Sequence, residues 1–135
     1  MEKLRVAIVD DHDLFRKNFK LLLEELPDTK VVGTFKDGKT FLEKIENIEA
    51  DIIFMDINMP GMSGIQVTDR ALTKFPDLNI IAVSMYSDVE YLLRMVNAGV
   101  KGYLAKDTDL KDIGKAINTV LSGGYYFPEN ILNQI

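Results

Sequence analysis

The sequence predicts an α/β fold: a doubly wound, five-stranded parallel sheet in the order 2-1-3-4-5, with helices on both faces. Three observations lead to this prediction. Short apolar segments rich in Ile and Val alternate with segments whose apolar residues recur every three or four positions. Five such strand–helix pairs follow one another, which favours right-handed crossovers and parallel pairing. The chain has 135 residues, 47% of them hydrophobic, which suits one domain with its own core.

Each predicted strand is a short apolar run. The three clearest runs extend from Leu4 to Val9, from Asp51 to Met55 and from Asn79 to Val83. The last two barely alternate between apolar and polar residues, as is typical of strands covered on both faces. Two weaker runs, Lys30 to Phe35 and Val100 to Leu104, complete the set of five.

Four helices are predicted from stripes of apolar residues, and a fifth, with a poorer stripe, from residues 65–75. Turn residues such as Pro, Gly and Asn separate the elements. The pattern breaks after residue 122, where Gly123 and Gly124 end the last helix and Pro128 can begin a short new one. In chain order the stripes consist of Phe15, Phe19, Leu22 and Leu26; Phe41, Ile45 and Ile48; Ile65, Leu72 and Phe75; Val89, Leu92, Leu93 and Val96; and Leu110, Ile113, Ile117, Val120 and Leu121.

Composition excludes several classes of site and partner. The absence of cysteine excludes a disulfide framework, a thiolate zinc site and a cysteine nucleophile, and the single histidine excludes a metal site made of histidines alone. The net charge of −5 argues that this domain itself binds neither nucleic acid nor anionic membranes. No stretch approaches the ~20 apolar residues of a membrane span, and the N-terminus lacks a signal peptide's apolar region. We therefore expect a cytoplasmic protein.

Polar residues collect where the predicted strands end. Asp10 and Asp11 follow the first strand, Asp56 the third and Ser84 the fourth, and Lys106 comes after the fifth. In a doubly wound sheet the carboxyl ends of the strands form the ligand-binding edge. We therefore expect three carboxylates, one hydroxyl and one ammonium group to converge there.

The chemistry of this cluster favours Mg²⁺ and a phosphoryl group. Three close carboxylates repel one another unless a cation is present, and a hard cation held by oxygens suits a site without cysteine or histidine neighbours. Lys106 and Ser84 can bind phosphoryl oxygens. Asp56, alone at the end of the central strand, is the expected nucleophile, while Asp10 and Asp11 are better placed to hold metal. We interpret His12, in the same loop, as a loop or helix-start residue.

Four segments together resemble the receiver domain of a two-component response regulator, which has a flavodoxin-like fold. The segments are VDDHDLFR at residues 9–16, MDINMPGMSG at 55–64, AVSMY at 82–86 and KGYLAKD at 101–107. The resemblance covers essentially the whole chain. It implies a regulatory phosphoacceptor that assists its own phosphorylation and dephosphorylation, and not an enzyme with an external substrate.

The resemblance also implies a role for each residue of the metal site. Asp56 resembles the phosphoacceptor, which receives the phosphoryl group from a sensor histidine kinase. Asp11 and Asp56 would bind Mg²⁺ directly, Asp10 would bind it through water, and Asn58 would bind it through its backbone carbonyl.

A second group of residues would carry the switch. Lys106 would pair with the phosphoryl oxygens, and Ser84 would hydrogen-bond the phosphoryl group and move towards it. Tyr103 resembles the aromatic residue that turns inward when Ser84 moves. The half-buried packing of an ordinary strand aromatic is an equally good interpretation of Tyr103, and the two are compatible.

Three segments are most similar to receivers of the group with a LuxR-type helix-turn-helix (NarL/FixJ-like): DDH followed by LFR at residues 10–16, GYL followed by KD at 102–107, and GGYYFPE at 123–129. We therefore predict a receiver domain over residues 1–122 and the start of a linker over residues 123–135, leading to a DNA-binding output domain absent from this chain. Regulation of transcription would then be the output, and a homodimer is left open. A stand-alone receiver that acts by protein–protein contact is one alternative. A haloacid-dehalogenase-like phosphatase is another, since Asp11, His12 and Asp13 nominally fit its motif.

Two residues depart from the usual receiver pattern in a way that bears on the phosphoryl site. Position 85 is often small in receivers, whereas here Met85 is bulky, and Tyr86 adds a second large side chain. Our hypothesis is that Met85 and Tyr86 slow the loss of the phosphoryl group by obstructing the attacking water.

Overall fold

The sheet has the predicted topology. A computed structural model describes residues 3–85 and 89–133 of the chain. Its five strands pair in parallel in the order β2-β1-β3-β4-β5, which confirms the predicted fold class. The strands are β1 (Leu4–Val9), β2 (Thr29–Phe35), β3 (Ile52–Asp56), β4 (Ile80–Ser84) and β5 (Gly102–Ala105).

Helices connect the strands and follow the last one. No helix in the described ranges is both long and apolar enough to cross a membrane. The helices are α1 (Asp13–Glu24), α2 (Gly38–Lys44), α3 (Gly64–Lys74), α4 (Val89–Ala98), α5 (Leu110–Leu121) and α6 (Glu129–Leu132), and a short 3₁₀ turn (Ile45–Asn47) follows α2.

The core has two layers, one on each face of the sheet. On one face, α2, α3 and α4 pack against inward residues of the strands such as Ile53 and Met55. On the other face, α1 and α5 pack against Ile52 and Phe54. Because successive strand residues point to opposite faces, these adjacent apolar residues of β3 serve both layers. This explains why the central strands read as continuous apolar runs.

Helix caps fix where several helices begin. The Asp37 carboxylate accepts a hydrogen bond from the Thr40 amide, and the Asp109 carboxylate accepts one from the Asp112 amide. Ser63 and Gln66 form a reciprocal capping box at the start of α3. The next residue, Gly64, lies so close to β3 that a Cβ atom there would come within 2.0 Å of the Asp56 carbonyl oxygen. A residue without a side chain thus lets α3 begin directly against the end of β3.

The strand boundaries differ slightly from the prediction. β3 and β4 each begin and end one residue later, and β5 begins at Gly102 instead of Val100. The cause at β5 is the end of α4: the amides of Gly99 and Val100 both donate to the Met95 carbonyl, and Gly99 has a φ of +112°. Residues 99 and 100 therefore complete a helix C-terminus before the strand starts.

The described part of the predicted linker, residues 123–133, packs on the sheet. Tyr126 forms a parallel bridge with Gly102, and the Tyr103 amide donates to the Tyr126 carbonyl at 2.9 Å. Downstream, α6 packs against α4 and places Ile131 in the core with no exposed surface. This segment covers the outer edge of β5, and its role as the start of a linker stays a prediction.

We predict that the tail contributes to the stability of the domain. Truncating the fully buried Ile131 to Ala should lower the free energy of unfolding by about 2–4 kcal/mol, because it removes buried methyl groups and leaves a cavity. Its neighbour Leu132 is 48% exposed, and Leu132→Ala should cost less than about 1 kcal/mol. Urea unfolding followed by circular dichroism measures both values. Equal losses for the two variants would show that the tail does not pack as described.

Candidate functional site

The carboxylates of Asp10 and Asp56 are brought together by the register of two neighbouring strands. Val9 pairs with Met55 in the parallel ladder of β1 and β3, so the next residues of the two strands lie side by side. The Asp10 amide also donates to the Phe35 carbonyl of β2 at 2.9 Å, which extends the ladder by one residue. Asp10 is 1% exposed and Asp56 is 3% exposed. The central edge of the sheet therefore buries two carboxylates next to each other.

Lys106 reaches this pair from the loop that follows β5. Its amide donates to the Ser84 carbonyl at 2.9 Å, which holds the loop after β5 against the end of β4. Its ammonium nitrogen lies 2.8 Å from Asp10 Oδ2 and 3.6 Å from Asp56 Oδ1, and its side chain is buried. The ammonium group also lies 4.6 Å from the centre of the Phe15 ring. One lysine thus serves two buried carboxylates.

Of the two predicted switch residues, Ser84 lies at the same edge and Tyr103 lies further back along its strand. Ser84 is the last residue of β4 and is 2% exposed, and Tyr103 lies in the middle of β5, buried in the core layer that includes α4. Asn58 lies in the exposed loop after β3. The Met85 side chain is 67% exposed, whereas Tyr86 lies outside the described residues.

The electrostatics of Asp56 are unfavourable for its charged form. Burial, and after it the negative charge of Asp10, raise the pKa of Asp56 from its ordinary value of 3.8 to about 7. Lys106 acts in the opposite direction but does not offset these two effects. With these protein groups alone, keeping Asp56 ionised at neutral pH costs free energy.

The arrangement fits a cation. Ligand atoms of Asp10, Asp11, His12 and Asp56 all lie within 4.8 Å of one another. Among the described residues, the buried Asp11 Oδ1 and Asp56 Oδ2 have no hydrogen-bond partner. Buried carboxylate oxygens without partners are the ligands that hard divalent cations take. The predicted cluster of acidic residues is therefore a site that could hold a metal ion.

His12 belongs to this site, which the sequence did not reveal. His12 is the N-cap residue of α1, consistent with a helix-start position, but its side chain makes no capping hydrogen bond. Instead its Nδ1 lies 3.3 Å from Asp10 Oδ1, 3.4 Å from Asp11 Oδ1 and 3.1 Å from Lys106 Nζ. An Asx-type turn orients the ring towards the carboxylates, since the His12 amide donates to Asp10 Oδ1 at 2.8 Å. The Asp-x-His spacing in the sequence could have indicated this turn.

Comparison with known proteins places the chain in a family. Residues 6–118 match the response regulator receiver domain. The transcriptional regulatory protein DegU of Brevibacillus brevis is 32% identical over 133 residues, which cover 98% of this chain and 56% of DegU. The response regulator GacA of Pseudomonas viridiflava is 33% identical over 132 residues, which cover 98% of this chain and 62% of GacA. The chain thus spans a little over half the length of these relatives.

A solved structure supports the same assignment. The two-component response regulator of the LuxR family from Aurantimonas sp. SI85-9A1 superposes with a TM-score of 0.89 at 26% identity, over 98% of this chain and 94% of that one. The predicted similarity to LuxR-type regulators is thereby confirmed. Sequence and fold agree: this chain belongs to the response regulator receiver domain family, whose members act in phosphorylation signalling by two-component systems.

Proposed function

We propose that this domain is a Mg²⁺-dependent phosphoacceptor that takes a phosphoryl group from a sensor histidine kinase onto Asp56. The observation that carries the proposal is the environment of Asp56: its carboxylate is buried at the central edge of the sheet, and its Oδ2 has no hydrogen-bond partner among the described residues. The ammonium group of Lys106 lies 3.6 Å from the other oxygen. A nucleophile and a cationic phosphoryl-binding group thus lie side by side.

The proposed step exchanges one bond to phosphorus for another. An oxygen of the Asp56 carboxylate forms a bond to phosphorus as the phosphorus–nitrogen bond to the kinase imidazole breaks, and the imidazole keeps the electron pair. Such transfers depend mainly on positioning and on stabilisation of charge. All five residues of β3 are buried, so packing around the strand restricts the position of Asp56.

Four residues are the proposed ligands of Mg²⁺ beside the proposed nucleophile. Asp11 and Asp56 would bind the ion directly, Asp10 through water and Asn58 through its backbone carbonyl. Bound Mg²⁺ would neutralise charge on the carboxylates and on the phosphoryl oxygens. The unpartnered oxygens of Asp11 and Asp56 support this assignment, since a cation would satisfy both.

The remaining site residues would carry the signal. Lys106 would pair with the phosphoryl oxygens, and Ser84, buried at the end of β4, would hydrogen-bond the group and shift towards it. Tyr103 lies on the neighbouring strand β5, where it pairs with Ala82, two residues before Ser84 on β4. A shift at the end of β4 would thus reach Tyr103 through packing between adjacent strands, which would change the surface formed by α4, β5 and α5.

Transcription regulation is the proposed output of the full protein. The DegU relative is named a transcriptional regulatory protein and is longer than this chain. Residues 1–122 would be the receiver, and residues 123–135 would lead to a DNA-binding domain. We place the protein in the cytoplasm, where its kinase would act, and a homodimer stays open. A stand-alone receiver remains the alternative, whereas family membership argues against the phosphatase.

The phosphoacceptor role predicts self-labelling. Incubation of the purified domain with acetyl phosphate and Mg²⁺ should add one phosphoryl group, detected by intact mass spectrometry. Chelation of Mg²⁺ should prevent the addition, and so should Asp56→Ala. Asp77→Ala is the matched control, because Asp77 is an exposed carboxylate in a turn, and this variant should label normally. Labelling of Asp56→Ala, or steady turnover of an aryl phosphate by the wild type, would contradict the proposal.

The lifetime of the phosphoryl group is predicted to depend on the two residues after Ser84. We propose that Met85 and Tyr86 obstruct the attacking water. Met85 is mostly exposed, so truncating it removes cover without opening a cavity in the core. Met85→Ala and Tyr86→Ala should each speed dephosphorylation several-fold in a mass-spectrometric time course. Leu121→Ala, which truncates an exposed apolar residue of α5, is the control. Unchanged rates in both variants would refute the obstruction.

A further inference from the structure

The position of the His12 ring goes beyond an oxygen-only magnesium site. His12 Nδ1 lies 3.3 Å from Asp10 Oδ1, 3.4 Å from Asp11 Oδ1 and 3.9 Å from Asp56 Oδ2. It therefore lies near one oxygen from each of the three carboxylates. Among the described residues, Asp11 Oδ1 and Asp56 Oδ2 have no hydrogen-bond partner. The ring nitrogen thus belongs to the same potential ligand set.

The distances from His12 Nδ1 to the three carboxylates are close to those between the ligands of a tetrahedral ion. With zinc bonds of about 2.0–2.1 Å to nitrogen and oxygen, tetrahedral geometry separates any two ligand atoms by about 3.3–3.4 Å. Two of the three distances from His12 Nδ1 have this value, and the third exceeds it by about half an ångström. All four ligand atoms lie within 4.8 Å of one another, so side-chain rotation would bring them to one ion without a change in the backbone. By contrast, Mg²⁺ requires an octahedral set and commonly uses one or two carboxylates and several waters.

The chemistry of the donors and their charge lead to the same ion. Imidazole nitrogen suits zinc and similar divalent cations, whereas carboxylate and carbonyl oxygens suit magnesium. Zn²⁺ with three carboxylates has a net charge of −1, which the neighbouring Lys106 ammonium would balance. The His12 ring is more than half exposed, so an ion from solvent can reach it. Lys106 Nζ, 3.1 Å from Nδ1, would turn from the ring and keep its ion pair with Asp10.

We propose that His12 is a metal-selectivity residue: it supplies a nitrogen ligand with which the carboxylates of Asp10, Asp11 and Asp56 bind Zn²⁺ in preference to Mg²⁺. The inference rests on the proposed function, because it concerns the same site. It implies that Zn²⁺ competes with Mg²⁺ and occupies Asp56, the phosphoacceptor. His12 would then set how far the domain tolerates zinc.

Isothermal titration of the untagged protein with ZnCl₂ and, separately, with MgCl₂ tests the proposal. The sequence contains no other histidine and no cysteine, so a loss of zinc affinity in a His12 variant reports on this ring. His12→Asn is suitable because Asn is a favoured N-cap residue and should maintain α1. Loss of an outer-shell partner costs roughly 10- to 100-fold in metal affinity, so loss of a direct ligand should weaken zinc binding at least tenfold. Magnesium binding should change less than about twofold, since no magnesium ligand is removed.

Asp11→Asn is the matched control and should weaken the binding of both ions. A second readout is direct: in a ¹H–¹⁵N imidazole spectrum, Zn²⁺ should shift the Nδ1 resonance of His12, whereas Mg²⁺ should not. The same ratio of zinc to magnesium affinity in wild type and His12→Asn would overturn the proposal, and so would an unshifted Nδ1 resonance at saturating Zn²⁺.

Labelling separates this inference from the proposed function. The wild type is incubated with acetyl phosphate and Mg²⁺, and labelling of Asp56 is followed by mass spectrometry. If wild type is not labelled, the phosphoacceptor role fails, and the ratio of affinities still decides the role of His12. If wild type is labelled and the ratio does not depend on His12, only the role of His12 fails.

Discussion

The structure depends on one electrostatic constraint: more negative charge is buried at the carboxyl edge of the sheet than the protein neutralises. Asp10 and Asp56 are almost fully buried, and Asp11 adds a third, partly buried carboxylate. Among the described residues, the Lys106 ammonium group lies within 4 Å of both buried carboxylates. The His12 ring lies beside them as well. Burial, together with the negative charge of Asp10, raises the pKa of Asp56 to about 7. A site with such an excess of buried negative charge favours any bound cation, and a bound cation in turn favours a dianionic phosphoryl group.

The fold maintains this arrangement because parallel pairing leaves little freedom at the strand ends. The ladder of β1 and β3 fixes the positions of residues 10 and 56, and the ladder of β4 and β5 fixes those of Ser84 and Lys106. Apolar layers on both faces prevent the central strands from shifting, since a slip of one residue would expose one layer. Gly64 adds a local contribution, because its missing side chain lets α3 begin against the end of β3. The stability of the core thus offsets the unfavourable charge at its edge.

Periodicity predicted a parallel sheet with helices on both faces, and the strand order 2-1-3-4-5 was supported as well by the resemblance to receiver domains. The convergence of Asp10, Asp56 and Lys106 followed, because strand ends in a parallel sheet share one edge. Contacts that depend on side-chain direction were not predictable. His12 was placed correctly at the start of α1, but its ring lies among the carboxylates only because the turn at Asp10 orients it. The short helix after Pro128 was predicted and is present as α6, but its packing was not predicted, because the tail sequence does not indicate that Ile131 returns to the core. The late start of β5 likewise depends on how α4 ends.

The central claim is that a divalent cation offsets the buried charge of Asp56, and a thermodynamic cycle tests it most directly. The free energies of unfolding of wild type and Asp56→Asn should be measured in urea at pH 8, with EDTA and with saturating Mg²⁺. In EDTA the variant should be more stable, because the raised pKa of Asp56 means that its ionised form destabilises the native state above neutral pH. Mg²⁺ should stabilise the wild type by about 2–3 kcal/mol at a hundredfold excess over its dissociation constant and should stabilise the variant less, so that the difference narrows or reverses. If the difference in the free energy of unfolding between the two proteins is the same in EDTA and in Mg²⁺, no cation offsets the charge of Asp56 and the claim is wrong.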